Sequence, residues 1–420
     1  MATAIDPMLT VFKKHPANPL IPFPPLEDII GFRDPHVFTS REFDKLFGLA
    51  GRWMLLSGGR MLKGGAIFLY FSEDGLEWLY MGVIMSFTQG SSIGGFSEWG
   101  HNWERADFFR LLRPDGAETA YFLMSFGIEG SSDPWIQFET SLILRFKDTV
   151  GRHTNGDLDI FEVVKVEKLD HGNFYGSTSF TDTFLNPTLS RDFAASARQV
   201  KFGWIREFPA PPEPQSNWAG CMSLPRQIGI QSRDGNEVLF IAPVEETEAF
   251  RDGAEHRLIL PTDLSEFALD IPLSPQNNSA IAFELKLTLS SSNDSLSSMF
   301  WITLTNGVTC HLSLSTTTSS TVIISRNSPK TTILFTKSPN TTFHIHFDVS
   351  VMEIFINNEV AWTGRIYPTS ASMLLQVSYD NKQAETGAAL GLGIGMVSGE
   401  AWVGLRKKGR QTQRDDHVKK

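Results

Sequence analysis

Three acidic residues lie in aromatic and glycine-rich surroundings rather than among other charges. Asp34 is in GFRDPHVF (31–38), Glu104 in GHNWERADFF (100–109) and Asp170 in LDHGNFYG (169–176). Two carboxyl groups can cleave a glycosidic bond when one protonates the leaving oxygen and the other attacks, or assists water, from about 5 Å away. An apolar environment raises the pKa of a carboxyl group, as a proton donor requires. These acids are therefore candidates for acid/base chemistry on a sugar.

Each of these acids also has a purely structural interpretation. Asp34 precedes a proline and could close a surface turn, and Asp170 could belong to an Asp-X-Gly turn. Glu104 could pair with the neighbouring Arg105 at the surface. The sequence shows no metal-ligand cluster, phosphate loop, nucleotide fingerprint or serine nucleophile motif as a competitor.

The elements that must position these acids are predicted to be strands. Short apolar runs separated by turn residues fill the first 250 residues, and SEDG and RDGN are hairpin turns of the Asp-Gly type. EETEAFRDGA (245–254) is the best helical candidate and would be a connector. From about residue 278 the chain alternates apolar and polar residues, which predicts sheets with one buried face and favours a β-sandwich.

The sequence thus predicts an all-β protein with four segments. Residues 1–255 form a sheet-repeat domain, 256–277 a linker, 278–405 a β-sandwich and 406–420 a charged, disordered tail. Four-stranded units repeating through the first domain suggest propeller blades. Because no strict sequence repeat is visible, periodicity alone leaves barrel alternatives open.

Composition restricts the partners and the location of the protein. A net charge of −10 and a pI near 5.5 argue against nucleic acid or an anionic membrane as the main partner. The N-terminal residues contain no apolar signal region, so the chain as written is expected to be cytoplasmic. Three Asn-X-Ser/Thr sequons, at Asn277, Asn293 and Asn340, suit a secreted protein instead, should the N-terminus be truncated.

Taken in order, these stretches resemble glycoside hydrolase family 32, the invertases, inulinases and fructosyltransferases, and most of all its fungal members. GFRDPHVF resembles the family's Arg-Asp-Pro motif, NWERADFF its acid/base motif, and LDHGNFYG its Asp-X-Gly-X-Phe-Tyr stretch. FGWIREF with NWAGCMSLPRQI, and HIHFDVSVMEIFINNEVAW near the end, resemble later family segments.

The resemblance implies a five-bladed β-propeller, its first blade incomplete, followed by a β-sandwich. It implies a retaining mechanism without metal or cofactor on sucrose or a fructan. Glu104 would be the acid/base and Asp34 the transition-state stabiliser. Arg33, Trp103 and Asp170 would bind the sugar.

One family motif has no clear counterpart in the sequence. The family's nucleophile is an aspartate in Trp-Met-Asn-Asp-Pro-Asn-Gly, well ahead of the Arg-Asp-Pro motif. Asp6, in AIDPML, precedes a proline but lacks the following Asn-Gly, so it is either a substitute nucleophile or part of a disordered terminus. The expectation is an N-terminally truncated chain with impaired hydrolysis. The alternatives are a catalytically inactive carbohydrate-binding relative, a truncated gene product, or a propeller scaffold for protein partners.

Overall fold

A computed structural model describes most of the chain, which divides into two compact units. The described residues are 1–130, 138–182, 197–207, 219–254, 256–259, 267–273, 282–291, 297–304, 308–316, 320–326, 330–335, 340–348, 350–366, 373–380, 394–403 and 405. The first unit comprises Met1–Asp170, Phe174–Trp204 and Ile228–Ile230, and the second comprises His171–Asn173, Ile205–Gln227 and Gln231–Lys420. The predicted tail, 406–420, lies outside the described residues.

The part of the chain before residue 244 is built from strands. An N-terminal hairpin pairs β1 (Ala2–Ala4) with β2 (Phe12–Lys14). Sheet A has the order β3 (Ile29–Phe38), β4 (Arg52–Arg60), β5 (Gly64–Ser72), β6 (Leu79–Phe87), with the helix α1 (Arg41–Phe47) between β3 and β4. Sheet B contains β7 (Asn102–Leu112), β8 (Glu118–Glu129), β9 (Phe138–Arg152) and β10 (Leu158–Lys168), in the order β10-β9-β8-β7. Sheet C contains β11 (Phe174–Asp182), β12 (Arg198–Ile205), β13 (Cys221–Met222), β14 (Arg226–Arg233) and β15 (Asn236–Pro243), in the order β11-β12-β14-β15 with β13 on β12.

Local chemistry explains where these elements start and stop. The Ser40 hydroxyl accepts a hydrogen bond from the Phe43 amide and caps α1, and Gly48 ends the helix in the left-handed conformation. The predicted RDGN turn joins β14 to β15 through Asp234 and Gly235, both with positive φ (48° and 78°). Two left-handed residues in succession match the tight hairpin turn that Asp-Gly favours.

Sheets A and B share one aromatic-rich hydrophobic core. Trp53, Leu55 and Ile67 of sheet A belong to the same buried cluster as Phe108 and Phe126 of sheet B. Phe43 of α1 is fully buried in this cluster. Its ring lies 5.1 Å from that of Trp53 and 5.5 Å from that of Phe108. Burying large aromatic side chains is the main stabilising contribution here, and it fixes β3 and β7, the strands that carry the candidate acids.

The second unit contains a 3-10 helix, Glu245–Gly253, at the position of the predicted connector, and two six-stranded sheets. The first, sheet D, has the order β16 (His256–Ile259), β27 (Ile394–Val403), β18 (Ala282–Ser291), β23 (Asn340–Asp348), β24 (Val351–Ile356), β25 (Val360–Arg365). Sheet E has the order β17 (Phe267–Leu273), β26 (Met373–Asp380), β19 (Ser297–Leu304), β20 (Val308–Thr316), β21 (Ser320–Arg326), β22 (Lys330–Phe335).

The structure corrects the predicted linker at 256–277. This segment supplies β16 and β17, which pair with β27 and β26 near the end of the chain. The reason lies in the sequence, because HRLI and FALDIPL carry the apolar residues that are typical of strands. The segment therefore contributes an edge strand to each of the two sheets instead of serving as a spacer.

The all-β prediction is confirmed, and every sheet among the described strands has an open order. Sheets A and B have the four antiparallel strands expected of a propeller blade. The number of blades stays a prediction. Among the described helices, none has the length and apolar character needed to cross a bilayer.

Candidate active site

Glu104 stands at the centre of a small polar cluster in the first unit. Arg33 of β3 donates from Nη1 to Glu104 Oε1 at 2.6 Å, and the Tyr175 hydroxyl of β11 donates to Glu104 Oε2, also at 2.6 Å. The Arg33 side chain is 44% exposed and that of Glu104 is 17% exposed. The structure thus brings together two of the predicted residues, and it adds Tyr175.

A repeated backbone distortion positions these three side chains. Arg33, Glu104 and Tyr175 are each separated by 71 residues. The residue after each one has a left-handed backbone: Asp34 has φ 57°, Arg105 φ 54° and Gly176 φ 58°. In β3 and β7 the strand register shifts directly after Arg33 and Glu104. Such bulges re-aim side chains next to functional sites, so successive sheets present one residue each to the same place.

Asp34 links the first motif to the second. Its Oδ2 accepts a hydrogen bond of 3.0 Å from the backbone amide of Arg105, the residue that follows Glu104. One residue further on, the Ala106 amide donates to Ser57 Oγ of β4 at 2.7 Å. Two sheet-A side chains therefore bind the bulged backbone of β7, and they hold the Glu104 peptide in register with Arg33.

Gly127 makes room for Tyr175 above the acid. Gly127 lies opposite Glu104 in the register of β7 and β8. A Cβ at this position would lie 2.6 to 2.7 Å from the Tyr175 ring, closer than atoms can pack. Burial raises the pKa of Tyr175 far above its usual value, and the contact with Glu104 adds to this. Tyr175 therefore keeps its proton and stays a hydrogen-bond donor to Glu104.

A buried ion pair joins Asp107 of β7, the strand that carries Glu104, to Lys201 of β12. Lys201 of β12 has no exposed side-chain surface, and its Nζ donates to Asp107 Oδ2 at 2.6 Å and to Ser125 Oγ at 2.9 Å. The other Asp107 oxygen lies 3.6 Å from His36 Nε2. Burial would raise the pKa of Asp107, but the charges of Lys201 and His36 and the hydrogen bond from Lys201 together outweigh it, so the pKa is lowered. Burial lowers the pKa of His36.

Glu139 is a second buried acid near Tyr175. It pairs with Gly127 across β8 and β9, on the side opposite Glu104. Its Oε1 accepts a hydrogen bond from Ser177 Oγ, whereas Oε2 is buried and makes no hydrogen bond within the described residues. Burial raises the pKa of Glu139, and the charge of Lys201 offsets the effect only in part.

The structure corrects the role expected for Trp103. Its ring is fully buried, stacks on Phe126 at 4.1 Å and donates from Nε1 to the Trp99 carbonyl at 2.8 Å. Gly65 of β5 gives it space, because a Cβ there would lie 2.2 Å from the indole. The aromatic side chain beside the acid is therefore core packing, covered by protein on the faces a sugar would need.

Asp170 and Asp6 are the two remaining acids predicted for the site. Asp170 is buried, with 1% exposure, so its contact with a sugar stays a prediction. Asp6 lies in the turn between β1 and β2. It accepts hydrogen bonds from the Val11 amide at 2.6 Å and from the Thr10 amide and hydroxyl at 2.8 to 3.1 Å. The Val11 and Thr10 bonds lower the pKa of Asp6. These contacts make it a turn-forming residue.

Sequence reasoning missed Tyr175, Lys201 and Glu139. Tyr175 lies in the same stretch as Asp170 and could have been found from the 71-residue spacing that links it to Glu104 and Arg33. Lys201 and Glu139 lie in strand-like runs, where nothing in the local sequence distinguishes a buried charge from an exposed one.

A cavity of about 1200 Å³ lies beside the cluster in the first unit. Its lining includes Arg33, Phe32, Pro35 and Trp78. Pockets of this size exceed what a small ligand needs. Arg33 therefore connects Glu104 to a space that a sugar could enter.

The paired strands make this an all-β protein. Its candidate acid/base site is the Glu104 carboxylate, which accepts two hydrogen bonds and lies next to a cavity. The chain belongs to glycosyl hydrolase family 32. The model of the family's N-terminal domain matches residues 1–243, and that of its C-terminal domain matches residues 242–390.

Curated relatives and solved structures agree with this assignment. An insoluble isoenzyme of beta-fructofuranosidase from Arabidopsis thaliana is 26% identical over 261 residues, covering 59% of this chain and 39% of its own. A fructan 1-exohydrolase from Triticum aestivum is 28% identical over 259 residues, covering 59% of this chain and 37% of its own. The fold is similar to that of a fructosyltransferase from A. japonicus, with a TM-score of 0.74, 17% identity, and coverage of 97% of this chain and 77% of that one. The match thus spans about two fifths of the length of these curated relatives.

Proposed function

We propose that this protein acts on β-fructofuranosides, sucrose or a fructan, with Glu104 as the acid/base. The observation that carries the proposal is Glu104 held between Arg33 and Tyr175, at the positions of family motifs. The names of the two curated relatives, a beta-fructofuranosidase and a fructan exohydrolase, support this class of substrate.

Each side chain has a distinct role in the proposal. Glu104 protonates the glycosidic oxygen as the bond from that oxygen to the fructosyl carbon breaks, and its carboxylate then takes the proton of the water that adds to the same carbon. Tyr175 holds one Glu104 oxygen through its hydroxyl and fixes the direction of the other. Arg33 is half-exposed and can turn from Glu104 to the sugar hydroxyls, so substrate and acid compete for its guanidinium. Asp34 keeps Oδ2 on the Arg105 amide, and its Oδ1 accepts no hydrogen bond from the described residues, so it can accept from a sugar hydroxyl.

A second candidate function is binding of a fructosyl unit without cleavage. A retaining mechanism needs a second carboxylate about 5 Å from the acid. Asp6, the candidate nucleophile, is bound by the backbone and hydroxyl groups of its own turn. That observation favours binding over hydrolysis for this chain.

The finer architecture is also part of the proposal. We infer that sheets A, B and C are blades of a five-bladed propeller and that sheets D and E form a β-sandwich. The open four-stranded sheets and the similarity to the fructosyltransferase fold support this arrangement. The two family-model matches, which meet at residues 242–243, support a division near the predicted boundary at 255.

The test is release of glucose and fructose from sucrose and inulin by the 420-residue chain. Glu104→Gln keeps the shape of the side chain but removes the proton donor, so it should abolish release. Glu162→Gln, at a 58% exposed side chain of sheet B, is the matched control and should behave as the wild-type chain. Equal release by Glu104→Gln would refute the assignment. No release by a folded wild-type chain that still binds sucrose would establish the binding function.

A further inference from the structure

Three potential metal ligands meet on sheet D of the second unit. His344 and His346 are two residues apart on β23, so their side chains lie on the same face of the sheet. Glu284 of β18 lies directly opposite His346 in the strand register. One ligand atom from each of the three lies within 4.8 Å of the others, and His344 Nε2 is 2.5 Å from Glu284 Oε1.

The donor atoms of these groups suit a cation. Imidazole nitrogen and carboxylate oxygen are ligands that divalent first-row metals accept. The cluster offers three such donors, two from one strand and the third from its neighbour.

His346 has a ring nitrogen that the fold leaves unused. Its Nε2 is buried and makes no hydrogen bond within the described residues. A buried polar atom without a partner is unfavourable and is expected to have a reason. His346 also lines a cavity of about 560 Å³, together with Cys221, Phe250 and Asp348. His346 therefore borders a cavity, while its Nε2 is itself shielded from solvent.

Arg251 is the cation that now occupies Glu284. Its Nε donates to Glu284 Oε2 at 2.8 Å and its Nη2 donates to Oε1. The same guanidinium pairs with Glu248 Oε1 at 2.8 Å and lies 4.3 Å above the Trp402 ring. Arg251 would therefore remain anchored by Glu248 and Trp402 if it released Oε1, the oxygen that faces His344.

We propose that Glu284, His344 and His346 form a binding site for a divalent first-row transition metal of the zinc type, and that Arg251 competes with the metal for Glu284. Two imidazoles and one carboxylate are a donor set that such ions accept, with water completing the coordination. Two ligand atoms of a tetrahedral zinc ion lie about 3.3 Å apart. His344 Nε2 and Glu284 Oε1, now 2.5 Å apart, must therefore move apart by about 0.8 Å to bind the same ion.

The proposal is tested with zinc and cobalt on the full chain after treatment with a chelator. Calorimetry with Zn²⁺ should show one site, and Co²⁺ should give the visible absorption of a four-coordinate ion. His346→Ala and His344→Ala should each weaken Zn²⁺ binding at least about tenfold. His153→Ala is the control, since His153 is an exposed histidine of the first unit paired with Asp159, and it should bind as the wild type does.

Arg251→Gln provides a second test, in which the affinity for Zn²⁺ should increase. A misfolded variant would lose affinity, so misfolding cannot produce this result. Removing the competing guanidinium should tighten Zn²⁺ binding about tenfold, the equivalent of one charge-assisted hydrogen bond. Binding that is unchanged in both histidine variants would overturn the site. Binding weakened by Arg251→Gln would overturn the competition and make Arg251 a supporting residue.

Discussion

Replacing Lys201 by methionine is predicted to destabilise the protein strongly. Methionine fills most of the same volume but cannot donate to Asp107 Oδ2 or to Ser125 Oγ, 2.6 and 2.9 Å away. Asp107 would keep a buried charge, since its side chain is 2% exposed and its Oδ1 already makes no hydrogen bond within the described residues. His36, whose Nε2 lies 3.6 Å from Asp107 Oδ1, does not replace the charge of Lys201, because burial lowers the pKa of His36 and the imidazole is neutral at pH 7.

The magnitude follows from the burial of both partners. Breaking a fully buried ion pair by removing one partner costs about 3 to 5 kcal/mol, because the other charge is left uncompensated. The double variant Lys201→Met with Asp107→Leu removes both charges and should recover most of that loss. Lys147→Met is the surface control: Lys147 contacts Asp159 at 2.5 Å but is 41% exposed, and an exposed pair contributes about 1 kcal/mol or less.

The assay is urea unfolding at pH 7, followed by tryptophan fluorescence and by circular dichroism. The pH dependence gives a second check. The pKa of Asp107 is lowered in the folded protein from its ordinary value of 3.8. Its contribution is thus complete above about pH 4 and disappears as the pH falls through the folded pKa. The variant should therefore lose its deficit relative to wild type in acid. A loss below about 1 kcal/mol at pH 7, equal to that of the surface control, would refute the reasoning.

Three further predictions concern residues around Glu104. Tyr175→Phe should lower kcat/KM on sucrose about tenfold or more, by loss of one hydrogen bond to a charged group, and kinetics showing no change would remove Tyr175 from the site. Glu139→Gln should raise the urea midpoint of unfolding at pH 7 but not at pH 4. The pKa of Glu139 is raised above its ordinary 4.5, so the cost of keeping this carboxyl buried grows as the pH rises. Urea denaturation of both chains at the two pH values tests this, and an equal effect at pH 4 would contradict it. The Arg105→Gly variant should have a free energy of unfolding about 1 kcal/mol higher than the Arg105→Ala variant, since only glycine adopts φ 54° freely. Urea denaturation of both variants tests this, and a more stable alanine variant, as is usual within strands, would contradict it.

The fold was largely predictable because the strands can be recognised from local sequence, as apolar runs bounded by turn residues. The short apolar runs predicted in the first 250 residues include β4 (Arg52–Arg60), and RDGN makes its hairpin at Asp234 and Gly235. The helix α1 was missed because seven residues are too short for a periodic pattern. The linker was misjudged because β16 and β17 pair with β27 and β26. These partners lie 100 or more residues away along the chain, the nearest pair being Leu273 and Met373, and local patterning cannot identify them.

The site was predictable only in part, for a related reason. Arg33, Asp34 and Glu104 stand out because glycine, proline and aromatic neighbours mark their motifs. Trp103 carries the same marks but faces the core, since which face of a strand is buried depends on the sheet packed against it. Tyr175 joins the site through the left-handed residue that follows it, Gly176, as Asp34 follows Arg33 and Arg105 follows Glu104, and this backbone geometry is not visible in the sequence.

The most direct test of the proposed fructoside site is sucrose binding to the Glu104→Gln chain, which is expected not to hydrolyse the sugar. Calorimetry would compare it with the same chain carrying Asp34→Ala, and with one carrying Asp115→Ala as control, an exposed acid whose carboxylate accepts from the Ala117 amide of its own turn at 3.0 Å. We expect saturable binding, weakened about tenfold or more by Asp34→Ala and unchanged by Asp115→Ala. Equal affinity in the Asp34 and Asp115 variants would contradict the claim that Arg33, Asp34 and Glu104 form one fructoside site.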